Sequence, residues 1–176
     1  QQREGCISYG LSSYGYDARG RLLTVDGPRT DLSDLTTYAY YPDADADLAR
    51  RGQLSTVTDA AGNVTTYAAA AAPYNTYNLF GQPLSVADPN GVVTTMAYDG
   101  WGRLTTRTLK GALGDPDLVT TNQYDDAGRL TKTTWPRSNG LSFAYDSSNR
   151  LTDTIRFGTD AKQYERTHVA YDVMSQ

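Results

Sequence analysis

Short stretches of alternating apolar and polar residues run along this chain, each closed by a cluster of turn-forming residues. Leu141, Phe143 and Tyr145 lie two apart, as do Val92, Thr94, Met96 and Tyr98, so each set faces one side of an extended strand. The segments Leu104 to Leu109 and Leu130 to Trp135 are rich in Thr, a β-branched residue suited to a pleated surface. Between an arriving and a departing strand sits one phrase, nearly unaltered in three places. It reads Tyr16-Asp17-Ala18-Arg19-Gly20-Arg21-Leu22, then Tyr98-Asp99-Gly100-Trp101-Gly102-Arg103-Leu104, then Tyr124-Asp125-Asp126-Ala127-Gly128-Arg129-Leu130.

Looser copies fill the intervals. Tyr145-Asp146-Ser147-Ser148-Asn149-Arg150-Leu151 has Asn where the others have Gly, and Tyr77-Asn78-Leu79-Phe80-Gly81-Gln82-Pro83-Leu84 keeps the frame with one residue added. Another copy begins at Tyr171-Asp172 and is unfinished at Gln176, and a weak one joins Tyr41 to Gly52-Gln53-Leu54. From Tyr77 the leading tyrosines fall at 98, 124, 145 and 171. Spacings of this size mark stacked repeats, in which no single unit buries its apolar face alone.

The phrase is a hairpin turn by its chemistry. Asp at the first position accepts backbone N–H bonds from residues ahead of it, and Gly three residues later supplies a left-handed conformation and a bulge. Asn149 tolerates that conformation better than other side chains. A second set of turn signals, at Asp26-Gly27-Pro28, Asp59 to Asn63, Asp88 to Gly91 and Pro136 to Gly140, returns the chain for the next strand. The pattern therefore predicts an all-β fold, an antiparallel meander of hairpins over residues 1–176. Repeats begin near Tyr16, Tyr41, Tyr77, Tyr98, Tyr124, Tyr145 and Tyr171, with an insertion at about 68–76.

Composition supports the same reading. The acids are 18 Asp and 2 Glu and the bases 13 Arg and 3 Lys, which favours turns over helices. The Ala68 to Ala72 run ends at Pro73 and is too short to nucleate a helix alone. With 14 Tyr against 3 Phe, the apolar face consists of rings whose hydroxyls need partners, which suits a thin wall better than a dry core. Net charge of −4 argues against nucleic acid, because phosphate binding relies on a basic surface. No apolar run is long enough to span a bilayer, and a lone Cys6 permits no disulfide within the chain.

These motifs resemble the RHS or YD-repeat family, on the strength of Tyr16-Asp17 with Gly20-Arg21, Tyr98-Asp99 with Gly102-Arg103, Tyr124-Asp125 with Gly128-Arg129, and Tyr145-Asp146 with Arg150. The resemblance implies a β-strip that spirals into a hollow shell, of which this chain forms a segment. In bacterial polymorphic toxins and in the B and C components of insecticidal toxin complexes, such a shell encloses a toxic C-terminal domain. A similar barrel occurs in teneurins. By resemblance, then, the expected function is structural and non-catalytic, within a large secreted or cell-surface bacterial protein. Its partners are further repeats and an enclosed C-terminal domain of the same polypeptide, with no cofactor. The alternative is a carbohydrate- or cell-surface-binding module, with Trp101 and Trp135 as the stacking residues.

Other constellations yield no site. Asp43, Asp45 and Asp47 imitate a calcium loop but lack the Gly and Glu that loop requires, Leu48 and Leu54 standing there instead. Asp88-Pro89-Asn90-Gly91 is similar to a segment near which some family members cleave themselves, yet turn chemistry alone accounts for it. His168 is the sole histidine and has no metal-ligand spacing to a partner. The repeated Asp occupy equivalent turn positions, whereas catalysis needs one differentiated site. The repeated Arg are expected either to pair with Asp and stack on a neighbouring Tyr as a ladder, or to lie in solvent as turn arginines.

Overall fold

A computed structural model of the chain describes residues 10–29, 31–71, 73–112 and 114–172. Cys6 and the last four residues of the unfinished repeat lie outside them. The described residues contain strands, turns and bends and no helix, in agreement with the all-β expectation. Residues 68–71 of the alanine run are non-helical as well.

The chain divides into two compact units at Val93 and Thr94. The first contains β1 (Ser13–Tyr16), β2 (Leu22–Asp26), β3 (Thr36–Tyr40), β4 (Leu54–Thr58), β5 (Val64–Tyr67) and β6 (Ser85–Ala87). Each of these strands pairs antiparallel with the next in sequence. The second contains β7 (Val93–Tyr98), β8 (Leu104–Leu109), β9 (Leu118–Tyr124), β10 (Leu130–Thr134), β11 (Gly140–Tyr145), β12 (Leu151–Phe157) and β13 (Gln163–His168), again joined strand to strand in chain order. Local pairing of this kind follows from short turns, because a two-strand connection of a few residues allows only antiparallel neighbours.

One backbone device recurs at nearly every reversal. In the turn from Asp17 to Arg21, the first N–H donates to the fifth carbonyl at 2.9 Å and the fourth N–H donates to the first carbonyl at 3.0 Å. The same two bonds close the turns starting at Asn78, Asp99, Asp125 and Asp146, and also the return turns starting at Asp59, Asp88, Trp135 and Gly158. The fourth residue has positive φ in all of them: Gly in most, but Ser138 at 62°, Asn149 at 63° and Ala161 at 61°. This is the type I turn with a left-handed bulge residue that the phrase predicts. Just before Tyr16, Tyr40, Tyr98, Tyr124 and Tyr145 the register slips by one residue. The residue skipped is the second of the departing strand, Thr105 or Thr131 for example, whose hydroxyl donates to the carbonyl of Ala97 or Gln123 across the pair.

In the copy expected to begin near Tyr41, the strand pairing sets the leading position. Tyr40, not Tyr41, opposes Leu54 as Tyr98 opposes Leu104. Tyr41 occupies the position of the turn Asp, exchanging backbone bonds with Gln53 and Gly52 across an enlarged loop. The residue added to the third copy is Pro83, which follows a normal five-residue turn and bridges Tyr77.

Little of the chain forms a core. Among the described residues the buried hydrophobic side chains are Ala68, Tyr77 and Phe157. The segment around 68–76 is fastened by Ser85, which is fully buried. Its carbonyl accepts from the Ala68 N–H, and its hydroxyl accepts from Ala70 and donates to the Tyr74 carbonyl at 2.7 Å.

Candidate functional site

The turn carboxylate organises everything around it. Asp125 Oδ1 accepts from the Arg129 N–H at 2.8 Å, and its Oδ2 accepts from Arg129 Nε at 2.8 Å. Asp17 with Arg21, Asp99 with Arg103 and Asp146 with Arg150 repeat this geometry. Their electrostatics follow from it. The backbone N–H of the fifth residue, then its guanidinium, holds Asp17, Asp125 and Asp146 below the usual carboxylate range. At Asp99 burial acts in the opposite direction and is outweighed by the same two donors.

Each arginine then reaches the following hairpin. Arg21 lies over the Tyr40 ring at 4.7 Å, Arg103 over Tyr124 at 4.7 Å, Arg129 over Tyr145 at 4.8 Å and Arg150 over Tyr171 at 4.5 Å. Nη1 of Arg103 and of Arg129 also donates to the carbonyl of the next turn's first residue, Asp125 or Asp146, at 3.4 and 3.3 Å. Such stacking contributes about 0.5–1 kcal/mol at partly exposed positions. Of the two expectations for these residues, the observed geometry is the ladder.

The tyrosines complete it from the other side. Tyr40 donates its hydroxyl to the Leu22 carbonyl at 2.7 Å, Tyr124 to Leu104 at 2.9 Å, Tyr145 to Leu130 at 2.8 Å and Tyr171 to Leu151 at 2.9 Å. Tyr77 makes the same bond to Leu54, and its burial raises its phenol well above the ordinary value. The acceptor is always the Leu that ends the phrase, at the slip in register. A net contribution of about 1 kcal/mol per bond is typical.

In the enlarged loop that lacks this Arg, the contacts are different. Gln53 stands in the enlarged turn, and Arg50 of the loop lies over the Tyr41 ring at 4.9 Å, bonded to Asp45 at 2.9 Å and reaching the Asn75 carbonyl. Asp43 pairs with Arg19 at 2.9 Å and with Arg21 at 3.4 Å. The three Asp that mimic a calcium loop thus face arginines or backbone N–H groups, Asp47 accepting from Ala49. No group of three metal-ligating side chains occurs among the described residues.

The remaining candidates are dispersed. Trp101 tops its turn, 78% exposed, with Arg103 at 4.8 Å from one face of its ring. Trp135 opens a return turn. Tyr16 is exposed on β1, and Tyr98 is partly buried with a raised phenol. Asp88 accepts from the N–H groups of Asn90 and Val92, an ordinary turn. His168 lies on the exposed strand β13 and shares Asp153 with Arg166, at 2.9 and 2.7 Å. Asp153, nearly buried, is held at about 2 by the hydrogen bonds from Arg166 and His168. Neither Asp153 nor Ser85 belongs to the repeated phrase, so periodicity gave no signal for them.

Residues 77–113 match the family described as RHS Repeat. A crystal structure of TcdB2-TccC3-Cdc42 aligns over 92% of this chain and 10% of its own, with 17% identity and a TM-score of 0.51. A Photorhabdus luminescens Tc holotoxin pore carrying a TccC3 mutation aligns over the same shares, with 17% identity and a TM-score of 0.53. At such identity the likeness is one of fold. A dCTP deaminase of Rhizorhabdus wittichii is 90% identical over 45 residues, 23% of this chain and 24% of the enzyme. Another, from Novosphingobium aromaticivorans, is 90% identical over 19 residues, 11% of this chain and 10% of the enzyme. Stretches so short show neither a shared fold nor a shared activity. The chain spans a quarter or less of the deaminases and a tenth of the toxin chains. No helix among the described residues is long and apolar enough to cross a membrane. An RHS repeat therefore lies at residues 77–113, in a chain whose β-fold is that of the Tc toxin structures.

Proposed function

We propose that this chain is a non-catalytic wall segment of an RHS-repeat shell, enclosing a C-terminal toxin or effector domain in a large secreted or surface-exposed bacterial protein. One observation carries the reading: within each unit, side chains of one hairpin are spent on the next, Arg on Tyr and Tyr on Leu carbonyl. Residues used in this way build a surface and leave no converging set for catalysis. The partners are further repeats and the enclosed domain of one polypeptide. Chemistry, with any cofactor, belongs to that domain. Limited trypsin digestion of the full-length protein tests the proposal. The domain following the repeats should survive conditions that degrade it in isolation; equal digestion refutes enclosure.

A second reading draws on Trp101, whose ring stands out at a turn tip where packing does not require it. Such a ring suits carbohydrate at a cell surface. A glycan array probed with the chain and its Trp101→Ala and Trp135→Ala forms decides, and binding indifferent to both removes this reading.

A further inference from the structure

The geometry points to a docking point for an arginine side chain of a partner polypeptide, at the junction of the turns 99–103 and 125–129, where Trp101 supplies a ring and Asp126 a carboxylate. Both residues line one shallow depression with Arg103, Ala127 and Gly128. Asp126 is exposed and in no ion pair of the described residues. Arg103 lies over one face of the indole, but its charge is matched by the Asp99 carboxylate at 2.6 Å. The exposed remainder of the ring and the Asp126 carboxylate therefore present a surplus of negative potential.

The chain holds its own arginines by the same two elements. Arg21, Arg103, Arg129 and Arg150 are each bonded through Nε to a carboxylate, and each lies over an aromatic ring of the next hairpin. The nature of the cation follows from the site. A metal ion needs more oxygens than one carboxylate offers. A quaternary ammonium has no N–H for Asp126 and favours a cage of several rings, whereas Tyr124 is already covered by Arg103. A primary ammonium is strongly hydrated, and an open depression does not repay its dehydration. A guanidinium is planar and weakly hydrated, stacks on indole and donates paired N–H bonds to a carboxylate. Free arginine would also bring its own carboxylate towards Asp126, so the side chain of a polypeptide fits better.

Neither residue is required by its turn. At the third position, where Trp101 stands, the following turns have Ala127 and Ser148, and Ser147 replaces Asp126 at the second. The backbone is the same in all three turns, so the ring and the unpaired acid are free to serve a contact outside the chain. The Trp101 backbone N–H is bonded to Asp99 at 3.0 Å, which fixes the turn that bears the indole.

The test titrates the whole chain, followed by NMR at low salt, with N-acetyl-arginine amide as the probe. Its uncharged counterpart N-acetyl-citrulline amide, N-acetyl-lysine amide, choline and free arginine are compared with it. The arginine probe should move the Trp101 indole N–H and the Ala127 and Gly128 amides along a saturable curve. Read at those amides, its affinity should fall about twofold to fivefold in Trp101→Ala and by a similar factor in Asp126→Asn. The citrulline probe should be inert and the other cations weaker. Asp126 is a solvent-exposed turn residue, so its variant keeps the test valid if Trp101→Ala fails to fold. Equal shifts from lysine amide, choline or free arginine, or an affinity unchanged in Asp126→Asn, would overturn the assignment. A neutral oligosaccharide that moves these resonances where the arginine probe does not would also overturn it, leaving Trp101 to the glycan reading. Self-association of the chain in sedimentation, lost in both variants, would put the arginine on a second copy and overturn a foreign partner.

Discussion

The turns that follow a leading Tyr and the turns that return the chain share one backbone and differ in what the side chain of their fifth residue reaches. Turn 125–129 and turn 158–162 both close with the same pair of main-chain bonds. The first begins with Asp and ends with Arg, and its arginine is bonded to its own turn and stacked on the next hairpin. The second begins with Gly and ends with Lys162, whose ammonium makes a loose contact, 3.7 Å, with Asp160 of the same turn. Turn geometry is therefore cheap to encode and carries no information about neighbours. Adhesion between hairpins is encoded separately, in the Tyr, Arg and Leu around the turn.

Disrupting a Tyr of the ladder should have the largest effect. Tyr77 is 5% exposed, meets Tyr41 edge to face at 6.5 Å and bonds the Leu54 carbonyl. Tyr77→Ala should lower stability by about 3–5 kcal/mol, as for other large buried rings, measured by urea unfolding. A loss below 1 kcal/mol would mean that the hairpins adhere by backbone pairing alone.

Acid comes next, because it reaches four Tyr-led turns together. The carboxyls of Asp17, Asp99, Asp125 and Asp146 titrate below their ordinary value in the folded chain. Their contribution is complete above the unfolded carboxylate pKa of about 4 and is lost as pH falls through the lower folded values. Thermal unfolding followed from pH 7 to pH 2 should give a melting temperature nearly flat to about pH 5 and falling below it. The quadruple Asp→Asn variant should flatten that fall; an unchanged slope assigns acid sensitivity to other groups.

Equivalent positions in the two kinds of turn offer a sharper comparison. Arg129→Ala should cost about 1–2 kcal/mol, reduced from a buried value because the side chain is partly in solvent. Lys162→Ala should stay within about 0.5 kcal/mol. Equal losses would show that the fifth residue acts on its own turn and not on the neighbouring hairpin.

The smallest effect concerns the backbone itself. Ala161 holds φ at 61°, a conformation costing a non-glycine residue about 1–2 kcal/mol. Ala161→Gly should raise stability by about 0.5–1 kcal/mol once the extra freedom of Gly in the unfolded chain is deducted. Differential scanning calorimetry would register this as a higher melting temperature, and a drop would place the strain elsewhere.

Much of the Tyr-led hairpin is legible in the sequence alone. Asp and Gly three apart predict the turn, and Asn149 in the Gly position obeys the same rule. Two features misled or escaped that reading. Tyr41 beside Tyr40 offers two frames to a pattern search, and only pairing with Leu54 selects Tyr40. The return turns lack a common phrase, since Trp135 and Gly158 begin two of them, so their identity with the Tyr-led turns is visible only in the hydrogen bonds.

The order of strands, the positions of most Tyr-led turns and the lack of helix among the described residues were determined by the sequence itself. Each depends on a few adjacent residues whose backbone preferences act locally. Which Leu carbonyl a Tyr bonds, which ring an Arg covers, and that Arg50 of the enlarged loop lies over Tyr41 were decided only in the tertiary structure. Those contacts join residues 15 to 25 positions apart or cross an enlarged loop. They exist because the slip in register just before each Tyr coincides with a Leu carbonyl that the phenol of the next hairpin can reach.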